Sequence, residues 1–143
     1  MVKNAEVTPP NTSPPDPMAP DSSTKEGRGA LPDWIEHGFI TTKFSRSASR
    51  AVEYAYNDFG LHQVAKGLEK GADIQKYLER SRQWRNHWNA NHTALGFKGF
   101  VVPRSTTGFL DTNSLGDSGY WADPYYQATS YIYSFADIHD MAT

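Results

Sequence analysis

The chain has 143 residues, a formal net charge of −2 and no cysteine. Those numbers exclude disulfides and thiolate metal sites, and with no basic cluster they argue against nucleic acid or an anionic membrane as partner. No apolar run reaches the length of a membrane span, and "MVKNAEVTPP" lacks the apolar stretch of a secretory signal, so the chain as written is expected to be cytoplasmic.

The stretch "TPPNTSPPDPMAPDSSTKEG" carries six of the nine prolines and few apolar side chains. It cannot offset its ordering entropy, so residues 1–25 read as a disordered or extended leader. A helix is predicted from Ser49 to Glu69, with Ser47 or Ser49 as cap and Gly71 as stop. Val52, Ala55, Tyr56, Phe59, Leu61, Val64, Ala65 and Leu68 give it an apolar stripe. Gly60 inside it costs roughly 1 kcal/mol relative to alanine, which predicts a packing reason. A second helix is predicted over 73–89, capped by Asp73, with Trp84 and Trp88 on the stripe that faces the first helix. The short turn between them makes an antiparallel hairpin.

Residues 89–126 hold several turn signals and one short strand candidate, "FKGFVVP". A third helix is predicted to begin near Tyr125, after Pro124, and to run to the end. Four tryptophans, eight tyrosines and seven phenylalanines are more than two or three helices bury, so a larger partner surface is expected, covalent or not.

"EGRGALPDWIEHGFI", "SASRAVEYAYNDFGLHQVAKGLEK", "YLERSRQWRNHW", "GFVVPR" and "YYQATSYIYSFADIHDMA" occur in this order. Their order and spacing resemble glycoside hydrolase family 92, the calcium-dependent inverting exo-α-mannosidases. The resemblance covers residues 26–143. It implies a mainly α fold, a partial (α/α)6 toroid, acting on a mannose-containing glycan. Calcium is implied for the family enzyme, with most of its ligands outside this chain and no metal ligand assigned within it. The family's last motif resembles "YEGSSWEYSFYVPHDM", and its general-acid glutamate falls on Gln127. Its Trp-Glu pair falls on Tyr131 and Ile132, and its proline on Ile138. The paired aspartates that activate water lie in a later motif not found here. The resemblance therefore leaves an alternative: a non-catalytic remnant, or a carbohydrate-binding or interaction fragment.

Inverting hydrolysis needs one carboxylic acid to protonate the leaving oxygen and one carboxylate to activate water. An amide has no proton to give near neutral pH. A phosphate leaving group departs as an anion whose conjugate acid has a pKa of about 6, so it needs none. Gln127 thus suits mannose-1-phosphoryl diesters, which some family members with glutamine at this position cleave. Drift in a fragment is the plainer reading of the same residue.

The remaining candidates for substrate contact are Arg28, Trp121, Tyr126 and His139, each with a structural role as its alternative. A loop arginine such as Arg28 is more often a clamp, and Trp121 and Tyr126 could stack on a sugar or pack in a core. Glu53 and Asp58 miss the i, i+4 spacing, so a buried network with Tyr54 or Tyr56 is expected instead of a carboxylate pair. His139 and Asp140 are neighbours and cannot form a dyad on a helix. His87 and His92 are expected to be solvated.

Overall fold

The computed structural model describes residues 1–11, 27–110, 124–137 and 139–141. In chain order, α1 spans Val2–Glu6, α2 Leu31–Glu36, α3 Ser47–Gly67 and α4 Gly71–Arg80. A 3-10 helix at Gln83–His87 leads into a hairpin of β1 (Trp88–Ala94) and β2 (Phe97–Val101). A two-residue ladder joins β3 (Arg104–Ser105) to β4 (Gly108–Phe109), and α5 covers only Ser130–Tyr133. This corrects the expected mainly α toroid: helices and two small antiparallel sheets share the chain.

α3 and α4 form the expected antiparallel hairpin. α3 buries Ala48, Ala51, Val52, Ala55, Leu61 and Ala65 at helical spacing, and the small alanines let neighbouring segments approach closely. Its N-terminus is capped neither by Ser47 nor by Ser49. The residue before it, Arg46, is left-handed (φ 55°), and the Ala48 and Ser49 amides both donate to the Pro124 carbonyl. At its other end Glu69, not Gly71, makes the stop. Glu69 is left-handed (φ 54°), Lys70 N donates to Ala65 O and Glu69 N to Lys66 O, which is a Schellman closure. A Cβ at Gly60 would meet nothing within 4 Å, so no packing explains that glycine.

α4 ends at Arg80 instead of running to 89. Asp73 lies in its first turn, ion-paired with Lys76, and is not the cap. Trp84 is buried on the 3-10 helix, while Trp88 opens β1 and stays 37 % exposed. The β1–β2 turn puts Leu95 (φ 50°) and Gly96 (φ 83°) in the left-handed region, as a tight two-residue hairpin requires. The register shifts between Asn89 and Thr93, which marks a bulge.

The main core joins Leu31 and Trp34 of α2, Ile40 and Phe44, the small face of α3, Trp84, Val101 and Tyr125. A second cluster holds Ala5, Leu61 and Tyr77. Residues 1–11, read from sequence as part of an unpacked leader, therefore include a helical turn whose Ala5 is buried. The predicted third helix is cut to one turn because tertiary bonds hold residues 125–127 in irregular backbone.

Candidate functional site

The segment 124–127 is pinned at four points. The Tyr125 hydroxyl, on a buried ring, donates to Val101 O at 2.7 Å. The Tyr126 amide donates to Ser49 Oγ, and the Tyr126 carbonyl accepts from the Tyr133 hydroxyl at 2.9 Å. Pro124 O takes the first free amides of α3. The Arg46 guanidinium lies 4.7 Å from the centre of the Tyr126 ring.

Within this frame Gln127 has φ 52°, a conformation that costs a non-glycine residue about 1–2 kcal/mol. Its side chain is exposed. Strain of that kind persists where the surroundings over-determine it. The hydrogen bonds on both sides of Tyr126 do so here, and the outcome is an amide headgroup displayed from a fixed backbone. Burial raises the Tyr133 phenol above its usual pKa, and the phenol O–H donates to Tyr126 O.

The other predicted residues lie elsewhere. Arg28 is 3 % exposed, and its Nη1 donates to Asp58 Oδ1 at 2.7 Å. Asp58 also accepts from Trp34 Nε1 at 2.9 Å and Arg80 Nε at 3.1 Å. The buried network foreseen for Asp58 exists, but its partners are two arginines and an indole, not Tyr54 or Tyr56, and Glu53 is exposed. His139 stacks on Phe59 at 4.7 Å and donates from Nε2 to Ser81 O at 3.0 Å. Arg28, His139 and the Tyr126–Gln127 pair are thus held by different parts of the chain. Trp121 lies outside the described residues.

His87 contradicts the expectation of a solvated ring. It is completely buried; Ile40 N donates to its Nε2 at 3.1 Å, and its Nδ1–H donates to Val102 O at 3.0 Å. Burial lowers its pKa to about 4, the nearby Arg104 charge adding to the effect against the Val102 bond. His92 is half-buried against Phe100.

Sequence reading missed a cavity of about 420 Å³ lined by Trp84, Trp88, Phe135, Met141 and the Arg85–Asp140 pair. Asp140 accepts a forked pair of bonds from Arg85 at 2.6 and 2.7 Å and a third from Trp84 Nε1 at 3.0 Å. Nothing in the spacing of residues 84, 85 and 140 signals this meeting. Among the described residues no group of three or more His, Asp or Glu side chains converges as a metal site, so they do not fit calcium by themselves.

The whole chain, residues 1–143, matches the glycosyl hydrolase family 92 catalytic domain. It belongs to this family. A curated relative, an uncharacterized secreted glycosidase of Arthroderma benhamiae, is 37 % identical over 129 residues, covering 78 % of this chain and 15 % of that protein. The family GH92 inverting mannosidase of Bacteroides thetaiotaomicron has a similar fold over 80 % of this chain and 14 % of its own, with a TM-score of 0.68 and 21 % identity. This family 92 chain spans about a seventh of the length of either. That one relative is secreted runs against the cytoplasmic expectation. Among the described residues no helix is long and apolar enough to cross a membrane.

Proposed function

We propose that this segment forms the acid-side wall of a family 92 glycosidase site acting on α-mannosyl groups, and that Gln127 adapts it to mannose-1-phosphoryl diesters. The observation that carries the reading is Gln127 itself: an exposed amide on pinned left-handed backbone, aligned by resemblance with the family's general acid. A neutral headgroup there donates a hydrogen bond to a phosphoryl oxygen without repelling it. It offers no proton to an alcohol leaving group. Arg46 lies over the adjoining Tyr126 ring.

The test uses a protein carrying this segment together with the family's water-activating aspartates, with calcium supplied. Relative rates are measured on a mannose-1-phosphoryl diester and on α-mannobiose. The native protein should prefer the diester. Gln127→Glu should move the ratio toward α-mannobiose by about 10²–10⁴-fold, the range of general acid catalysis. Equal native rates on both substrates would mean another residue gives the proton. Inactivity on both, with Gln127→Glu restoring α-mannobiose cleavage, would mark drift in a former mannosidase.

A further inference from the structure

Two tripeptides of the chain have the form Asn-X-Ser/Thr: Asn11-Thr12-Ser13 and Asn91-His92-Thr93. That pattern is the acceptor signal for N-linked glycan transfer, and on its own it is common by chance. An N-glycan is bulky and polar, so the folded chain must keep the acceptor at its surface. Residues 12 and 13 lie outside the described residues. Asn91-His92-Thr93 lies in β1, where the fold decides what each of the three residues faces.

In a strand, successive side chains alternate between two faces. β1 begins in that way, with Trp88 exposed, Asn89 half-buried and Ala90 exposed. Continued alternation would turn Asn91 inward, and the register shift prevents it. Between the pairs Asn89↔Phe100 and Thr93↔Lys98, β1 has residues 90–92 where β2 has Gly99 alone. The extra residues break the alternation, so Ala90 and Asn91 are both exposed and the pattern restarts out of phase. His92, the middle residue, is then the one turned in, its ring edge-on to Phe100 at 5.5 Å. Thr93 is exposed like Asn91. The bulge thus gives solvent the two residues that the signal requires, and uses the unspecified one for packing. It also sets the Asn91 main chain, whose N–H donates to Asn89 Oδ1 at 3.0 Å. Such a site matters only on a secretory route, and one relative of this family 92 chain is secreted.

We propose that Asn91 is an N-glycan acceptor when the chain enters a secretory pathway, and that the β1 bulge lets the folded hairpin carry the glycan. This goes beyond the reaction proposed above and is independent of Gln127. The donor is an oligosaccharide on a polyprenyl diphosphate, delivered by the pathway's transferase. Asn91 Nδ2 forms a bond to C1 of the first sugar as the C1–O bond to the diphosphate breaks. The lipid diphosphate leaves with that electron pair, and Nδ2 gives up one of its two protons to a base of the transferase.

The experiment expresses the 143-residue chain behind a cleavable secretion signal in a eukaryotic host. Secreted and retained protein are both treated with peptide N-glycosidase, which turns a glycosylated asparagine into aspartate, and the peptides are read by mass spectrometry. That mark is expected at Asn91, together with a slow-migrating band that the enzyme removes. Asn91→Gln and Thr93→Ala should abolish the mark at this site, and Thr93→Ser should keep it. Unmodified Asn91 in both fractions, or a mark confined to Asn11, overturns the proposal. Stability tests the part given to the bulge. The glycosylated chain and Asn91→Gln should unfold at the same denaturant midpoint. A lower midpoint for the glycosylated chain would mean that the glycan is forced against the hairpin, and would overturn the exposed placement.

Discussion

Gly99 and Trp88 show how one residue decides the path of the hairpin. Gly99 has φ 87°, and a Cβ there would come within 2.5 Å of the Trp88 ring. The indole of β1 therefore lies directly over the bare backbone of β2. Gly99→Ala should cost about 1–3 kcal/mol, from backbone strain plus displacement of the indole. Gly96→Ala is the control, since it has φ 83° but open space around its Cβ. Chemical denaturation of both should show Gly99→Ala as the more damaging. Equal losses would mean that the Trp88 contact contributes nothing. In sequence, Trp88 fell on a helical stripe because Trp84 stands four residues earlier, and spacing alone cannot show where a helix hands over to a strand. Asp58 was legible as buried, but its arginine partners, 30 and 22 residues away, were not.

At the scale of elements, Glu6 makes most of the side-chain bonds that hold α1, beside the buried Ala5 and the bond from Arg28 N to Asn4 Oδ1. Glu6 Oε1 accepts from the Tyr77 hydroxyl at 2.8 Å and Arg80 Nη1 at 2.9 Å, and it pairs with Lys76 at 3.2 Å; Arg80 Nη2 also donates to Ala5 O. Burial opposes the Glu6 charge, but these bonds and the Arg80 and Lys76 charges outweigh it and hold its pKa below the usual value. A depressed carboxylate contributes stability that is present above its unfolded pKa, about 4.5, and lost as pH falls through the lower folded value. Amide exchange in residues 2–7 should accelerate relative to α3 as pH falls below that point. Glu6→Gln should exchange faster already at pH 6, with little further change in acid. A wild-type α1 as protected at pH 3 as at pH 6 would refute the latch. Composition hid this element: α1 sits beside a proline-rich tract and gains its order from α4, not from its own five residues. The α3–α4 hairpin was legible from the short turn between two helix-forming runs, not from periodicity, since Tyr56, Val64 and Leu68 of the expected α3 stripe are exposed. β1 was not, because "WNANHTA" has few strand-favouring residues and, among the described residues, is a strand through its pairing with β2.

For the molecule as a whole, two buried groups pull the pH dependence of stability in opposite directions. His87 has its folded pKa lowered from 6.5 to about 4. Between those values the unfolded chain binds more protons, so stability rises with pH. Asp137 has its folded pKa raised from 3.8 to about 8, chiefly by burial. Between those values the folded chain binds more protons, so stability falls as pH rises. From about pH 4 to 6.5 the two slopes oppose each other, and from 6.5 to 8 only that of Asp137 remains. The wild-type chain should therefore show a broad plateau followed by a decline toward pH 8. Asp137→Asn should climb to pH 6.5 and then hold level. His87→Gln, which can still accept from Ile40 N and donate to Val102 O, should decline across the whole interval. The three curves come from thermal or denaturant unfolding at fixed ionic strength. If the two variants gave the same profile, neither buried group would be setting the pH response, and the opposed assignments of His87 and Asp137 would both fall.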